Sequence, residues 1–177
     1  MTCGVSSVFP GFVTFQNGVF SGFDVDFCRA IAAAIFGEAT DKTLVFRSVM
    51  STERFQLLAE GGIDVLIRVT TATFARDVRE STSGVGFSFT QTIFYDGLAF
   101  AGVPSFVDCA DNLLTFRECN ELKICVTDGT TTLERVEELF ENEFIEIQSN
   151  YEESLKGLES GLCNVLAADS IALLHPA

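Results

Sequence analysis

An α/β architecture of two lobes, each a mostly parallel sheet flanked by helices, follows from three features of the sequence. One segment occurs twice, a hundred residues apart. Leu58-Ala59-Glu60-Gly61-Gly62-Ile63-Asp64-Val65-Leu66-Ile67 and Leu158-Glu159-Ser160-Gly161-Leu162-Cys163-Asn164-Val165-Leu166-Ala167 share Leu, Gly, Val and Leu at matching places, and each reads as a helix end, a glycine stop and a buried strand. Around these copies, strand-like and helix-like periods alternate with short Gly-marked turns, as parallel α/β units require. A chain of 177 residues exceeds one small domain and falls short of two full-sized ones, so two compact lobes fit best. The expected boundaries are 1–102 for lobe I and 103–177 for lobe II, with no linker or low-complexity tract between them.

The elements follow in order. Residues 3–8 and 12–15 are short apolar stretches around Pro10-Gly11 and read as a strand, a turn and a second extended piece, with a hairpin signal at Gln16-Asn17-Gly18. Residues 24–36 carry Val25, Cys28, Ile31, Ala32 and Ile35 at helical spacing and stop at Gly37, which predicts an amphipathic helix. Residues 44–46 read as a strand. Ser51 as N-cap, with Glu53 in the first turn, opens a helix through Phe55, Leu58 and Ala59 that ends at Gly61, and a strand over 63–67 follows. Residues 87–100 are strand-like and lead toward the second lobe. There, 123–127 is a strand, Asp128-Gly129-Thr130 a tight turn, and Thr131-x-x-Glu134 has capping-box spacing for a helix through Leu139 and Phe140. A strand over 144–147 and a helix over 151–159 lead into the second copy of the repeat.

Composition narrows the function. The 47% hydrophobic content supplies real cores, and 18 Phe with no Trp favour aromatic packing that needs no hydrogen-bond partner. A net charge of −14 argues against phosphate-backbone binding and against docking on an anionic membrane, so nucleic acid is not an expected partner. The acidity is concentrated: residues 1–104 hold 7 basic and 10 acidic side chains, and 105–177 hold 4 and 15, most of it readable as a solvated helix face. The longest apolar run, 30–36, is too short to span a bilayer, and the N-terminus lacks a signal-peptide pattern, which implies a mature or cytosolic chain. Six Cys without a C-x-x-C pair read better as three disulfides, with fifteen connectivities open, than as a zinc site, and favour an oxidising compartment.

The candidate chemistry is a matched pair of charges. Arg76 lies in a Thr-rich loop just beyond a buried strand, where a guanidinium can grip a carboxylate through two hydrogen bonds; the plainer reading is a surface arginine. Thr131 stands at a helix N-terminus, whose N–H groups and dipole suit a carboxylate, although taken alone ordinary capping is the plainer reading. Asp169 follows the second repeated strand, at the strand end where open α/β sheets bind ligands, and its plainer reading is a helix N-cap. Phe9 and Phe12 flank Pro10-Gly11 and could stack on a ligand, or simply pack in the core. A cation on one half and an anion on the other suit a zwitterion. For catalysis the chain is poor: its one His, His175, is the third residue from the end, and it has no G-x-S-x-G or H-E-x-x-H motif. Gly84-Val85-Gly86 does not complete a dinucleotide fingerprint and Asp128-Gly129-Thr130 lacks a P-loop lysine, so no nucleotide, cofactor or metal is expected.

Cys3-Gly4-Val5-Ser6, Pro10-Gly11-Phe12, Gly22-Phe23-Asp24-Val25-Asp26-Phe27-Cys28-Arg29-Ala30, Glu53-Arg54-Phe55, Asp64-Val65-Leu66, Thr70-Thr71, Phe94-Tyr95-Asp96-Gly97 and Gly129-Thr130-Thr131-Thr132, in this order over nearly the whole chain, carry a resemblance. The sequence resembles the extracytoplasmic solute-binding proteins of amino-acid ABC importers, bacterial family 3, and especially the general L-amino-acid subgroup. The resemblance implies the two-lobed periplasmic-binding-protein-like fold, type II, closing on an amino acid. Matched residue by residue, it implies Arg76, Thr71 and Thr131 for the α-carboxylate, and Asp169 with the carbonyl of Val69 for the ammonium. It implies Phe9 and Phe55 as side-chain pocket and Ser6 as a specificity position. Family members continue past the ammonium-binding Asp to complete the first lobe, whereas this chain stops at Ala177, so lobe I is expected to lack its C-terminal return segment. An aromatic that the subgroup often carries between its Thr residues is Ala72 here, and an acidic position of the second repeat is Asn164. The subgroup's cysteine positions imply the pairs Cys3–Cys28, Cys125–Cys163 and Cys109–Cys119.

The expected function is therefore capture of an L-amino acid and its delivery to ABC transporter membrane subunits, by a periplasmic, monomeric, non-enzymatic protein. Two alternatives stand beside it: a cyclohexadienyl-dehydratase-like enzyme on the same fold, and a ligand-sensing domain or non-binding remnant.

Overall fold

Strands β1 (Thr2–Val5), β4 (Val45–Ser48) and β5 (Val65–Leu66) form a parallel sheet in the order β4-β1-β5, with Cys3 opposite Phe46 on one side and Val65 on the other. This computed structural model describes residues 1–7, 9, 11–112 and 114–174. The turn expected at Pro10 and the terminal His175 lie outside the described residues. The chain divides into two units, Met1–Ile93 and Phe94–Ala177.

In the first unit, β1 is central because Cys3, Gly4 and Val5 are all buried, as a strand covered on both faces requires. A hairpin of β2 (Thr14–Gln16) and β3 (Val19–Ser21) turns at Asn17 (φ 52°) and Gly18 (φ 80°), the two left-handed positions of a type I′ turn. Helix α1 (Phe23–Phe36) follows, ends at Gly37 in the left-handed conformation, and buries Val25, Cys28 and Ala32 against Cys3, Val5, Val13 and Leu44. Disulfide Cys3–Cys28 ties α1 to β1.

Helix α2 (Arg54–Ala59) begins later than expected. Glu53, not Ser51, holds the N-cap position; Ser51 is buried in the preceding turn, and the Glu53 carboxylate accepts the N–H of Met50 at 3.0 Å. The strand expected over 63–67 is ladder-paired only at Val65–Leu66, flanked by single bonds from Asp64 N–H to Thr2 O and from Ile67 N–H to Gly4 O, both 2.9 Å. Helix α3 (Phe74–Arg79) closes the unit's regular structure.

The second unit holds β6 (Leu98–Gly102), α4 (Pro104–Asp111), β7 (Ile124–Thr127), α5 (Thr131–Leu139), β8 (Ile145–Gln148), α6 (Tyr151–Ser160), β9 (Val165–Asp169) and the short α7 (Ser170–Leu173). Its sheet runs β6-β9-β7-β8, with β7 parallel to both neighbours and β6 antiparallel to β9. Of the expected 87–100 strand only the end is one: Phe87 packs its ring on Phe55, 5.2 Å away, instead of joining a ladder, and pairing starts at Leu98. The core gathers Phe116, Leu122, Ile124, Val126, Leu133, Val136 and Phe140 around β7 and α5. Disulfides Cys109–Cys119 and Cys125–Cys163 complete the expected pairing, and no cysteine is free.

The two units repeat one motif. The order β4-β1-β5 corresponds to β8-β7-β9, all parallel, and α2 and α6 end alike: Gly61 and Gly161 each donate to the third residue before them, Leu58 and Leu158, at 3.2 Å. Gly62 and Leu162 then reach Leu57 O and Gly157 O at 2.8 and 2.9 Å. These are the paired bonds of a glycine helix stop, so the sequence repeat is a repeat of structure.

Candidate functional site

The candidate residues sit after the C-terminal ends of neighbouring parallel strands, the edge at which open α/β sheets bind ligands. In the first unit, β1 leads to Ser6 and Phe9 and β5 leads to Arg68, Val69 and Thr71, and the two strands are paired through Gly4 and Leu66.

Arg76 is 5% exposed and so is not a surface arginine. Thr73 caps α3 by accepting the Arg76 N–H at 3.2 Å, and the side chain folds back so that Nη1 donates to Thr71 O at 2.9 Å. The guanidinium carbon lies 5.0 Å from the centre of the Phe55 ring, within cation–π range, and that of Arg54 lies 5.0 Å from the same ring. Phe87 braces this from behind, donating its N–H to Arg76 O at 3.0 Å and packing on Phe55.

The loop between α3 and Phe87 is organised by Glu80. Its carboxylate accepts the N–H groups of Thr82 (3.0 Å) and Ser83 (2.8 Å) and the hydroxyls of both. Burial alone would raise this carboxyl, but the amides and hydroxyls of Ser83 and Thr82 outweigh it and hold the group down to about 2. The loop closes so tightly that a Cβ on Gly86 would lie 2.2 Å from Asp77 O. Gly84-Val85-Gly86 is thus a backbone contact with α3.

Val69 has φ 44°, a conformation a β-branched residue rarely adopts. Its N–H donates to Asp24 Oδ2 at 3.3 Å. Asp24, in the first turn of α1, is 2% exposed; burial pushes its carboxyl up to about 6, against the Val69 amide and the charge of Arg68, which lower it. Burial in turn lowers Arg68 to about 10, while Asp24 and Glu53 act to raise it, and its Nε donates to Val49 O at 2.8 Å. Ser6 is buried, Phe9 and Val13 exchange backbone bonds at 2.9 and 2.8 Å, and the Phe9 ring packs edge-on to Phe12. Phe12 is a core residue, as its plainer reading held.

In the second unit, β7 leads to Thr131 and the adjacent parallel β9 ends at Asp169. Thr130, not Thr131, is the N-cap of α5: its Oγ1 accepts the Leu133 N–H at 3.1 Å and donates to Thr127 O at 2.7 Å. The expected capping box is therefore not formed: with Thr130 as cap, the third helical residue is Leu133 rather than an acid, Glu134 falls one place too late to reach back, and Thr131 becomes the first helical residue. Asp169 does not cap α7 with its side chain. Asp96 does that, accepting the Ser170 hydroxyl and the Ile171 N–H (3.1 Å), while Asp169 Oδ1 accepts the Thr132 hydroxyl at 3.5 Å.

Arg76, Thr71 and Phe55 are thus brought together in the first unit and Thr131 and Asp169 onto one sheet edge in the second. Asp24, Glu80 and Asp96 were not picked out as functional in sequence. Asp24 and Asp96 stood in the motifs of the resemblance, but nothing local marked their partners. Among the described residues no group of three His, Cys, Asp or Glu could hold a metal, and no helix is long and apolar enough to cross a membrane.

Residues 1–104 match the bacterial extracellular solute-binding proteins, family 3. The general L-amino acid-binding periplasmic protein AapJ of Rhizobium johnstonii is 34% identical over 176 residues, covering 97% of this chain and 48% of that protein. Among solved structures, an ABC transporter periplasmic binding protein from Brucella ovis with glutathione bound is 33% identical, with a TM-score of 0.75 over 97% of this chain and 52% of that one. The ancestral amino acid-binding protein AncCDT-1, a precursor of cyclohexadienyl dehydratase, has a TM-score of 0.78 over 98% of this chain and 72% of its own, and at 22% identity it speaks for the fold alone. The chain spans about half the length of the curated relatives it matches.

Proposed function

Because the chain belongs to the bacterial extracellular solute-binding proteins of family 3, we propose that it binds an L-amino acid with groups from both of its units and delivers it to an ABC-type membrane transporter from an extracytoplasmic location. The observation that carries this reading is Arg76, buried yet aimed by the Thr71 carbonyl and the Phe55 ring. A buried guanidinium held in this way suits a carboxylate, which it can meet with parallel hydrogen bonds.

In the proposed clamp, Arg76 and the backbone amides of Thr71 and Thr131 take the α-carboxylate. Asp169 and the Val69 carbonyl take the ammonium, Phe9 and Phe55 line the side-chain pocket, and Ser6 tunes specificity. Such a clamp reads only what all α-amino acids share. Glutathione, bound in the Brucella ovis relative, carries the same head group on its glutamyl end, which supports a head-group reading. The partners proposed are an amino acid and transporter membrane subunits, with the protein itself a monomer. The dehydratase-like alternative is not favoured, since the family and the relatives are named for binding.

Calorimetric titration with L-amino acids of each side-chain class, with glutathione, and with an α-hydroxy acid lacking the ammonium tests this. Heat from the amino acids but not from the hydroxy acid supports the two-ended clamp. Silence with every ligand rejects it in favour of a non-binding remnant.

A further inference from the structure

Two backbone segments converge on the start of α1. Phe23 N–H donates to Gly11 O at 3.2 Å and Asp24 N–H to Phe12 O at 3.1 Å, which docks the helix against the 9–13 loop. From the other side, Val69 N–H donates to Asp24 Oδ2 at 3.3 Å. Docking this close needs Gly22 (φ 124°), because a Cβ there would lie 2.4 Å from Phe12 O. We propose that Asp24 is a positioning residue: its buried carboxylate fixes Val69 in its left-handed conformation and ties the 69–71 segment to the 9–13 loop, so that Val69 presents its carbonyl to the ligand's ammonium.

The proposal rests on the clamp described above for its ligand, but its geometry stands independently. A valine at φ 44° keeps that conformation only where its surroundings impose it. Here they do so on both sides, since Arg68 is pinned by its bond to Val49 O and Val69 by its bond to Asp24. The other acid of the first turn, Asp26, shows what an ordinary helix-start carboxylate does: it is exposed and pairs with Arg29 at 2.9 Å. The charged groups acting on this cluster are Arg68, after β5, which faces Asp24, and Glu53, before α2, which faces Arg68; the 9–13 loop contributes no titratable side chain. With its carboxyl raised to about 6, Asp24 is ionised and the stronger acceptor above neutrality, and it weakens as an acceptor in acid.

The test uses the 15N-labelled full chain as wild type, Asp24→Asn and Asp26→Asn, with amide spectra from pH 4.5 to 8 and calorimetry of an L-amino acid over the same range. The Val69 amide is expected to shift with a midpoint near 6 in the wild type and in Asp26→Asn, and to stop titrating in Asp24→Asn. Wild-type affinity is expected to fall about threefold to tenfold between pH 7.5 and 5, whereas Asp24→Asn binds flatly at the weaker level. A Val69 amide indifferent to the substitution, or an Asp24→Asn variant that keeps the wild-type pH profile, overturns the proposal. Should the wild type bind no amino acid, the clamp itself fails, and the Val69 amide then decides alone whether Asp24 holds that segment.

Discussion

Asp64 and Asn164 hold the same post in the two units. The side-chain oxygen of each accepts an N–H at the start of the central strand, from Thr2, the first residue of β1, at 2.7 Å and from Lys123, just before β7, at 2.9 Å. The N–H of each returns to that same residue's carbonyl, at 2.9 and 3.0 Å. An amide serves as well as a carboxylate, and Asn164 Nδ2 additionally reaches Glu121 O. The replacement of an acid at 164 is therefore a matter of strand anchoring. Asn164→Ala should lower stability by about 2 kcal/mol in urea unfolding, and Asn164→Asp, which keeps the acceptor but loses the donor, by about 1 kcal/mol.

Arg76→Ala should cost more binding than Phe55→Leu. The first removes the charged partner of a carboxylate, worth at least about tenfold in affinity, and the second removes only the ring beneath it. Equal affinities of wild type and Arg76→Ala in calorimetry would dispose of the clamp.

Glu80 should make the fold acid-sensitive. Its folded value, about 2, lies below the ordinary 4.5, so its contribution is present above pH 4.5 and is lost as pH falls through about 2. Glu80→Gln should melt lower than wild type at pH 7, and the gap should close toward pH 2. A gap independent of pH would mean that the carboxylate's charge is immaterial to its loop.

Asp24 should act in the opposite sense. Its folded value is raised from 3.8 to about 6, so the stability present below pH 3.8 is lost as pH rises through about 6. Asp24→Asn should therefore melt several degrees higher than wild type at pH 8 and equally at pH 3.5, a gain on the order of 2 kcal/mol. Melting lower than wild type at pH 8 would contradict this.

The disulfides should differ in weight with the chain they enclose. Cys125–Cys163 spans 38 residues and Cys109–Cys119 spans 10, so loop entropy gives about 4 and about 3 kcal/mol respectively for the paired Cys→Ser variants. Urea midpoints of the two variants check the order.

Local signals carried the regular elements well. The apolar spacing of α1 and the glycines at 37, 61 and 161 placed helices and their ends, because those stops depend on neighbouring residues alone. Arg76, Thr131, Asp169 and Phe9 were marked by their place in the sequence, whereas the family resemblance supplied the disulfide pairs and the remaining clamp residues, Thr71, Val69, Phe55 and Ser6. Ser51 was mistaken for a cap because several polar residues before a helix can serve, and only the turn geometry picks Glu53. The Phe-rich 87–97 stretch has strand-like composition, yet Phe87 spends its ring on Phe55, a contact between residues far apart in the chain. Asp24 escaped notice for the same reason: an acid in a first turn reads as dipole compensation, and its partner lies 45 residues away.

Gly22 and Gly86 are not members of the proposed clamp, yet each lets one backbone press on another where any side chain would collide. In a saturation library scored for ligand capture, both positions would rank beside Arg76 as intolerant. Such a ranking confuses what grips a solute with what shapes the grip; scoring the same library for protein abundance would separate them, with Arg76 variants abundant and Gly22 and Gly86 variants scarce.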